Sequence, residues 1–273
     1  MSAWRFTKMH GAGNDFVVID ARHQAWVATP ALCAQVADRH RGIGCDQIMV
    51  IEAASAGWAY RIYNADGSAA AQCGNGARCV ARWLLDRGAL KSGESLHSPS
   101  GAVPVRVLGA GGIEVGLGVP RFEPDAIPLR RPQPAAEYVL ELPAQSVRVA
   151  ALSMGNPHAV LRVASVDAAA VAALGPAIER HPDFPDRCNV GFVEVLTRRH
   201  LRLRVWERGV GETLACGSGA CAAAVAMMRA DAVDAEVELD LPGGRLGVRW
   251  AGTGQPVYLS GPTEYVYEGE WCA

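Results

Sequence analysis

An internal repeat constrains the fold of this chain more than any other feature. A Cys-Gly-x-Gly segment begins at Cys73, and another begins at Cys216, 143 positions later. Asn14 recurs as Asn156, 142 positions later, and each of these asparagines follows a glycine. Because chance matches would not keep a common offset, this spacing predicts two copies of one domain.

Two further pairs fall into the same register. Asn189 lies 142 positions after Gln47, and Glu207 lies 143 positions after Asn64. These positions carry amides and an acid, and the repeated segments carry thiols, whereas a repeat that served packing alone would pair apolar residues. The repeat therefore indicates a site to which both copies contribute.

The apolar pattern predicts strands and helices in each copy. A helix should follow each repeated cysteine; the first should end near Gly88, and the second is apolar nearly all round and hence buried. Strands are predicted at 16–19, 48–51, 60–63, 103–107, 159–161, 190–196, 201–206, 237–239 and 257–259, and shorter helices at 32–39 and 168–178. The predicted fold class is α+β with two pseudo-symmetric duplicated domains. Each is a mixed β-sheet, a barrel-like roll around a central α-helix, with the active site expected in the cleft between them.

Composition and charge exclude several classes of protein. The chain has 273 residues, of which 50% are hydrophobic, and a formal net charge of -2, which is typical of a globular protein. This charge argues against nucleic acid or an anionic membrane as a partner. No apolar run reaches the roughly 18 residues of a spanning helix. Since the N-terminus has no secretion signal, we expect a cytoplasmic protein.

Eight cysteines would suit the disulfide framework of a short secreted protein, but this chain is not short and shows no secretion signal. The pair Cys73/Cys79, with five residues between the cysteines, is spaced more widely than a zinc knuckle, and the pair Cys216/Cys221, with four, is at its upper limit. Neither a metal nor another cofactor is predicted. The four cysteines without any pairing pattern are predicted to be small buried hydrophobic residues: Cys33, Cys45, Cys188 and Cys272.

A thiol at a helix start lies where unpaired N–H groups and the helix dipole favour the thiolate. Two such thiols, Cys73 and Cys216, suit a reaction in which one sulfur removes a proton from a carbon and the other delivers one to the opposite face. The N–H groups of Gly74-Asn75 and Gly217-Ser218 would receive the charge that develops on a neighbouring carboxylate. This chemistry inverts a stereocentre without a cofactor. The alternative is that both cysteines are packing residues at tight turns.

Other polar residues acquire a functional interpretation only from the repeat. His158 would orient or deprotonate a thiol, although a single histidine is as often a core or surface residue. Glu207 and Arg208 would bind the ammonium and carboxylate groups of an amino acid, or form a surface ion pair. The repeated amides would bind a substrate, or else cap turns: Asn14, Gln47, Asn64, Asn156 and Asn189.

With these residues laid out, the chain resembles the diaminopimelate epimerase family. The resemblance runs along nearly the whole chain and is carried by motifs in order at 8–16, 41–47, 63–68, 73–76, 154–158, 188–190, 207–209 and 213–221. It implies interconversion of LL- and meso-diaminopimelate without a cofactor, with Cys73 and Cys216 alternating as base and acid. It also implies that His158 and Glu207 tune the thiols. The implied substrate-binding set is Asn14, Gln47, Asn64, Gly74, Asn75, Asn156, Asn189, Glu207, Arg208, Gly217 and Ser218.

The resemblance also implies the domain organisation. Residues 1–118 with 262–273 would form the half that carries Cys73, and residues 119–261 the half that carries Cys216. A homodimer is expected, as for many relatives. Five prolines between Pro120 and Pro134 are interpreted as a connection between the domains, or as an irregular edge segment.

Two other functions stay open from the sequence. Proline racemase-like enzymes also use paired cysteines, but their first cysteine lies in Cys-Gly-His-Gly, where this chain has Asn75 in place of the histidine. A non-enzymatic thiol redox or metal-binding module is the third hypothesis.

Overall fold

The computed structural model describes residues 3–54 and 57–272 and divides into two compact units. The first unit comprises Met1–Gly116 with Ser260–Ala273, and the second comprises Leu117–Leu259. The first stretch contains β1 (Ala3–Gly11), β2 (Asn14–Asp20), α1 (Pro30–Ala37), β3 (Gln47–Ala53), β4 (Trp58–Asn64), β5 (Ala69–Ala70), α2 (Gly74–Asp86), β6 (Ser95–Ser98), β7 (Gly101–Val107) and β8 (Ile113–Gly116).

The second unit repeats this order of elements after one additional strand. It contains β9 (Tyr138–Glu141), β10 (Ser146–Ser153), β11 (Pro157–Arg162), α3 (Val171–Glu179), β12 (Asn189–Thr197), β13 (His200–Glu207), β14 (Gly211–Thr213), α4 (Gly217–Arg229), β15 (Glu236–Leu241) and β16 (Gly244–Trp250), followed by β17 (Val257–Gly261). The last strand, β18 (Glu264–Cys272), pairs antiparallel with β1.

The strand pairings confirm the duplication. In the first unit β2 pairs parallel with β3 and places Phe16 opposite Gln47. In the second unit β11 pairs parallel with β12 and places His158 opposite Asn189, so both members of the pair lie 142 positions later. β1 with β2 and β3 with β4 are antiparallel, as are β10 with β11 and β12 with β13. The fold class is therefore α+β with two duplicated mixed-sheet domains, as the sequence predicts.

Every predicted strand lies within an observed strand, and the predicted helices begin or end within three residues of the observed ones. The helix after Cys73 ends at Asp86, and Gly88 follows with φ +65°, a left-handed conformation that glycine adopts without strain. In α4 every residue from Gly219 to Met227 is buried, so nearly every side of this helix is covered by other parts of the protein.

Two hydrophobic cores hold the shorter helices against their sheets. In the first unit, Cys33 and Val36 of α1 pack with Val17 of β2 and Ile48 of β3. In the second unit, Ile178 of α3 packs in a second hydrophobic core with apolar residues of the neighbouring strands. The longer helix α2 contacts β1, β2, β3 and β8. Among the described residues, none of the helices is long and apolar enough to cross a membrane.

The proline-rich segment begins directly after the boundary between the units at Gly116, and within it Ile127 and Leu129 are 0% and 5% exposed in the core of the second unit. One expectation from the sequence needs correction. Cys33, Cys45 and Cys188 are buried as predicted, but Cys272 is exposed. This cysteine lies on β18, whose side chains are mostly exposed, and an apolar pattern in the sequence does not reveal such a strand.

Candidate active site

The thiol of the first unit caps a helix. Cys73 is the N-cap residue of α2, with extended backbone at φ -146° and ψ 110°, and its Sγ accepts a hydrogen bond from the Gly76 N–H at 3.4 Å. A Cβ atom at Gly76 would lie 2.7 Å from the end of the Met49 side chain, so glycine lets this turn approach β3 closely. The predicted position of the sulfur at a strand-to-helix junction is thus observed.

Asn14 and Asn75 lie beside this sulfur. A two-residue turn at Ala12 and Gly13, both with positive φ, places Asn14 at the start of β2. The Asn75 Nδ2 donates to Asn14 Oδ1 at 3.2 Å, and the Cys73 Sγ lies 3.9 Å from the same oxygen. These three predicted site residues therefore form one cluster in the first unit.

Gln47 and Asn64 form a second contact in the first unit. Gln47 Nε2 donates to Asn64 Oδ1 at 2.8 Å, and Asn64 Nδ2 donates to Ser68 Oγ at 2.9 Å. Ser68 Oγ in turn donates to Asp66, within the turn that follows β4. This chain of bonds fixes both amides at the ends of neighbouring strands.

The thiol of the second unit is more buried than its equivalent in the first. Cys216 is the N-cap residue of α4 and is 7% exposed, and its Sγ lies 3.7 Å from Ser218 Oγ. Ser218 Oγ also accepts a bond from Asn156 Nδ2 at 3.4 Å. Gly217, like Gly74 in α2, is the first residue of its helix.

The environment of Cys216 favours the protonated thiol. Burial raises the pKa of this thiol well above its usual range, and the nearby Glu207 carboxylate raises it further. The Gly219 N–H and the Ser218 hydroxyl lower the pKa but offset only part of this effect. Cys216 therefore departs from the expectation that a helix start favours the thiolate, because burial and a carboxylate outweigh the helix terminus.

His158 and Asn156 are paired in the second unit. His158 is 1% exposed, and its Nε2 lies 2.9 Å from Asn156 Oδ1. Burial, together with the positive charge of Arg208, lowers the pKa of His158 from 6.5 to about 3. His158 is therefore neutral at physiological pH, and its Nε2–H donates to the asparagine oxygen.

Asn189 and Arg208 are also brought together. Asn189 Nδ2 donates to the Pro157 carbonyl at 3.1 Å, and Asn189 Oδ1 accepts from the Arg208 backbone N–H at 3.0 Å. The Arg208 side chain is exposed and donates to the Asp186 carbonyl at 3.0 Å. The guanidinium is thus held at the surface of its unit.

The depressed pKa of His158 predicts acid sensitivity. The unfolded chain binds a proton at this residue near pH 6.5, whereas the folded chain does so only near pH 3. The free energy of unfolding therefore loses nothing from this residue above pH 6.5. It declines by about 1.4 kcal/mol per pH unit as the pH falls toward 3. We expect His158→Gln to flatten the dependence of the urea midpoint on pH between 6.5 and 4, compared with the exposed control His40→Gln. Equal slopes in wild type and His158→Gln would contradict this assignment.

Three charged residues near the site were not predicted from the sequence. Arg78 is fully buried one turn into α2, Asp46 bonds Asn14 at 2.7 Å, and Glu179 accepts bonds from Trp206 Nε1 and the Gly209 N–H. The repeat could not reveal them, because the equivalent positions in the other unit carry different residues. Helix α2 also carries Arg82 and Asp86, so a charge at position 78 did not by itself mark a buried cation. In the described ranges no group of three His, Cys, Asp or Glu side chains is arranged to hold a metal ion.

Comparison with known proteins first defines the class of fold. A hydroxyproline epimerase from Agrobacterium vitis, solved with bound trans-4-hydroxy-L-proline, superimposes with a TM-score of 0.69 at 16% sequence identity. The match covers 98% of this chain and 92% of that structure. At this identity the likeness shows the fold alone, which is that of duplicated two-domain epimerases.

Sequence relatives define the family. The family model described as diaminopimelate epimerase matches residues 6–123 and 150–266. Diaminopimelate epimerase of Ectopseudomonas mendocina (strain ymp) is 53% identical over 270 residues, covering 97% of this chain and 98% of that protein. The enzyme of the same name from Xanthomonas euvesicatoria pv. vesicatoria (strain 85-10) is 54% identical over 273 residues, covering 98% and 96%. This chain belongs to the diaminopimelate epimerase family of isomerases, as its motifs predict.

Proposed function

We propose that this chain interconverts LL- and meso-2,6-diaminopimelate by proton transfer at one α-carbon, without a cofactor. The observation that carries the proposal is a thiol at the start of a helix in each duplicated unit, in a chain of this family. The product would serve lysine and peptidoglycan precursor synthesis. The units that contain Cys73 and Cys216 would act as the two halves of one enzyme.

The two thiols would alternate as base and acid. In one direction the Cys73 thiolate takes the α-hydrogen as a proton, and the Cys216 thiol gives its proton to the opposite face of the carbon. The product complex then holds a Cys73 thiol and a Cys216 thiolate, and the reverse reaction uses this pair. The protonated state that burial and Glu207 favour for Cys216 supplies the acid of the first direction.

Charge that develops on the α-carboxylate needs oriented donors. The backbone N–H groups of Gly74, Asn75, Gly217 and Ser218 lie in the first turn of α2 or α4, where N–H groups lack helical partners. We assign these groups to the reacting carboxylate. The charged and amide residues would hold the rest of the substrate, with Glu207 on an ammonium group and Arg208 on the distal carboxylate: Asn14, Gln47, Asn64, Asn156, Asn189, Glu207 and Arg208.

Glu207 and His158 are both proposed to tune a thiol, and the contacts within the second unit support this role better for Glu207. Glu207 is hydrogen-bonded to the Cys216 thiol, which suits a group that orients this sulfur. His158 contacts Asn156, so within its own unit it orients an amide. We retain a role for His158 in tuning a thiol as part of the proposal.

Deuterium incorporation tests the proposed reaction. In heavy water, LL-diaminopimelate should gain deuterium at only one α-carbon in each turnover, as measured by mass spectrometry and proton NMR. L-Proline and L-lysine serve as matched substrates, since the first tests the racemase alternative and the second lacks a distal carboxylate. Exchange into proline but not diaminopimelate would favour the racemase, and no exchange into any of them would favour the thiol redox or metal-binding module.

Assembly and localisation complete the proposal. We propose a cytoplasmic homodimer, supported by β18, on which Tyr265, Val266 and Tyr267 are 39%, 53% and 45% exposed. Apolar side chains on such a strand are commonly covered by another chain. A monomeric mass by light scattering at micromolar concentration would contradict the dimer.

A further inference from the structure

Arg78 is a buried cation that the proposed chemistry does not use. It is the largest fully buried side chain of the described residues and belongs to α2, three residues after Asn75. Its Nη2 donates to Asn75 Oδ1 at 3.0 Å, and its Nη1 lies 3.5 Å from the Gly74 carbonyl oxygen. Arginine is rarely buried, and the start of a helix is the end where the dipole disfavours a cation. The burial of this cation at the start of a helix is therefore to be explained by the groups that it contacts.

The guanidinium determines which way the Asn75 amide points. Arginine has donors only, so the amide oxygen of Asn75 must face it and the amide nitrogen must face away. That nitrogen donates to Asn14 Oδ1 at 3.2 Å. The direction of one amide thus fixes the direction of the next.

Asp46 determines the other end. Asn14 Nδ2 donates to Asp46 Oδ2 at 2.7 Å, and an ionised carboxylate has acceptors only. Arg39 holds this carboxylate through a bond of 2.8 Å to its other oxygen. We call the series Arg78, Asn75, Asn14 and Asp46 the amide chain. Its two ends agree, because each requires Asn14 Oδ1 to point away from Asp46 and toward Asn75.

The backbone around the amide chain is packed against it. A Cβ atom at Gly11 would lie 3.3 Å from Arg78 Nη2 and 3.5 Å from the Asn75 Cβ. Gly11 immediately precedes the turn that carries Asn14. Arg78 therefore supports both the amide of Asn75 and the strand end from which Asn14 projects.

The second unit shows why a cation is needed in the first unit only. Ser218 lies 143 positions after Asn75, and Cys221 lies 143 positions after Arg78. A serine hydroxyl both donates and accepts through one rotating group, so it has no direction to be fixed. The amide of Asn156, in turn, has its oxygen bound by His158.

We propose that Arg78 and Asp46 are positioning residues that lock the direction of the amide chain and so keep Asn14 Oδ1 facing the sulfur of Cys73. The proposal rests on the proposed function insofar as Asn14 and Cys73 act on the substrate. Neither Arg78 nor Asp46 touches the substrate in this account. Both act through Asn75 and Asn14.

Side-chain amide spectra test the amide chain without any substrate. The chain has five asparagines, so protein labelled with ¹⁵N-asparagine gives five side-chain amide pairs. We expect Arg78→Met to shift the pairs of both Asn75 and Asn14 and to speed their exchange with water, and to leave those of Asn64, Asn156 and Asn189 in place. Arg82→Met, on the same helix, is the matched control. An unchanged Asn14 pair in Arg78→Met would overturn the proposal.

A double-mutant cycle tests the functional consequence. We expect Arg78→Met to lower kcat for α-deuterium exchange by about 10- to 100-fold, with a smaller change in KM, because displaced groups lose alignment in the transition state. In an Asn75→Ala background the same change should cost less than about threefold, since Arg78 acts through Asn75. Independent losses that multiply would show a merely structural role and overturn the proposal.

Asp46→Asn keeps the proposal testable if Arg78→Met fails to fold. Asp46 is exposed, and its replacement by an amide removes the acceptor-only end of the chain. The Asn14 pair should then shift and kcat should fall, with the melting temperature close to that of wild type; an unchanged Asn14 pair would count against the proposal. If the variants shift as expected but the wild-type protein exchanges no α-hydrogen of diaminopimelate, the proposed function is refuted and the amide chain stands.

Discussion

Cys73→Ala and Cys216→Ala should each lower α-hydrogen exchange and epimerisation of diaminopimelate by a factor of about 10² to 10⁴, the contribution of a positioned acid or base. Each variant lacks a proton carrier on one face of the carbon, so neither direction can be completed. Heavy-water exchange and chiral chromatography of the product measure the two effects.

The two helices offer matched controls for these variants. Cys79 and Cys221 are fully buried in α2 and α4, close in sequence to the proposed catalytic residues. Cys79→Ala and Cys221→Ala should alter stability more than exchange, which separates loss of packing from loss of chemistry. Full turnover in both directions by either Cys73→Ala or Cys216→Ala would disprove the two-thiol mechanism.

Glu207→Gln should lower exchange by about 10- to 100-fold, the value of a hydrogen bond to a charged group. The same variant should shift the alkylation of Cys216 by iodoacetamide to lower pH, because removing a neighbouring negative charge stabilises the thiolate. Burial would still hold the pKa of this thiol above its usual range. Peptide mass mapping across a pH series identifies which cysteine reacts.

Glu212→Gln is the control for Glu207→Gln. Glu212 lies across from this site on the paired strand β14 and binds Arg204 through two bonds of 2.6 and 2.9 Å. It carries the same charge and undergoes the same substitution, but it is not among the groups that act on Cys216. An equal shift of the Cys216 profile in both variants would mean that general charge, rather than the Glu207 contact, governs this thiol.

The sequence determined the features that depend on the spacing of residues along the chain. The offset of 142 to 143 residues reproduced the strand register of both units, and two glycines after each cysteine placed Cys73 and Cys216 at helix starts. Several long motifs in order were enough to identify the family. These conclusions hold because a repeat, a helix cap or a motif is recognised from residue types and their spacing along the chain alone.

The tertiary structure alone decided how the site residues influence one another. The protonated state of Cys216 depends on burial and on Glu207, which lies nine residues earlier and on another element. The direction of the Asn14 amide depends on Arg78 and Asp46, whose counterparts in the repeat are different residues. Electrostatic energies and hydrogen-bond directions depend on distance and on exclusion of water, and folding sets both by bringing separate segments together.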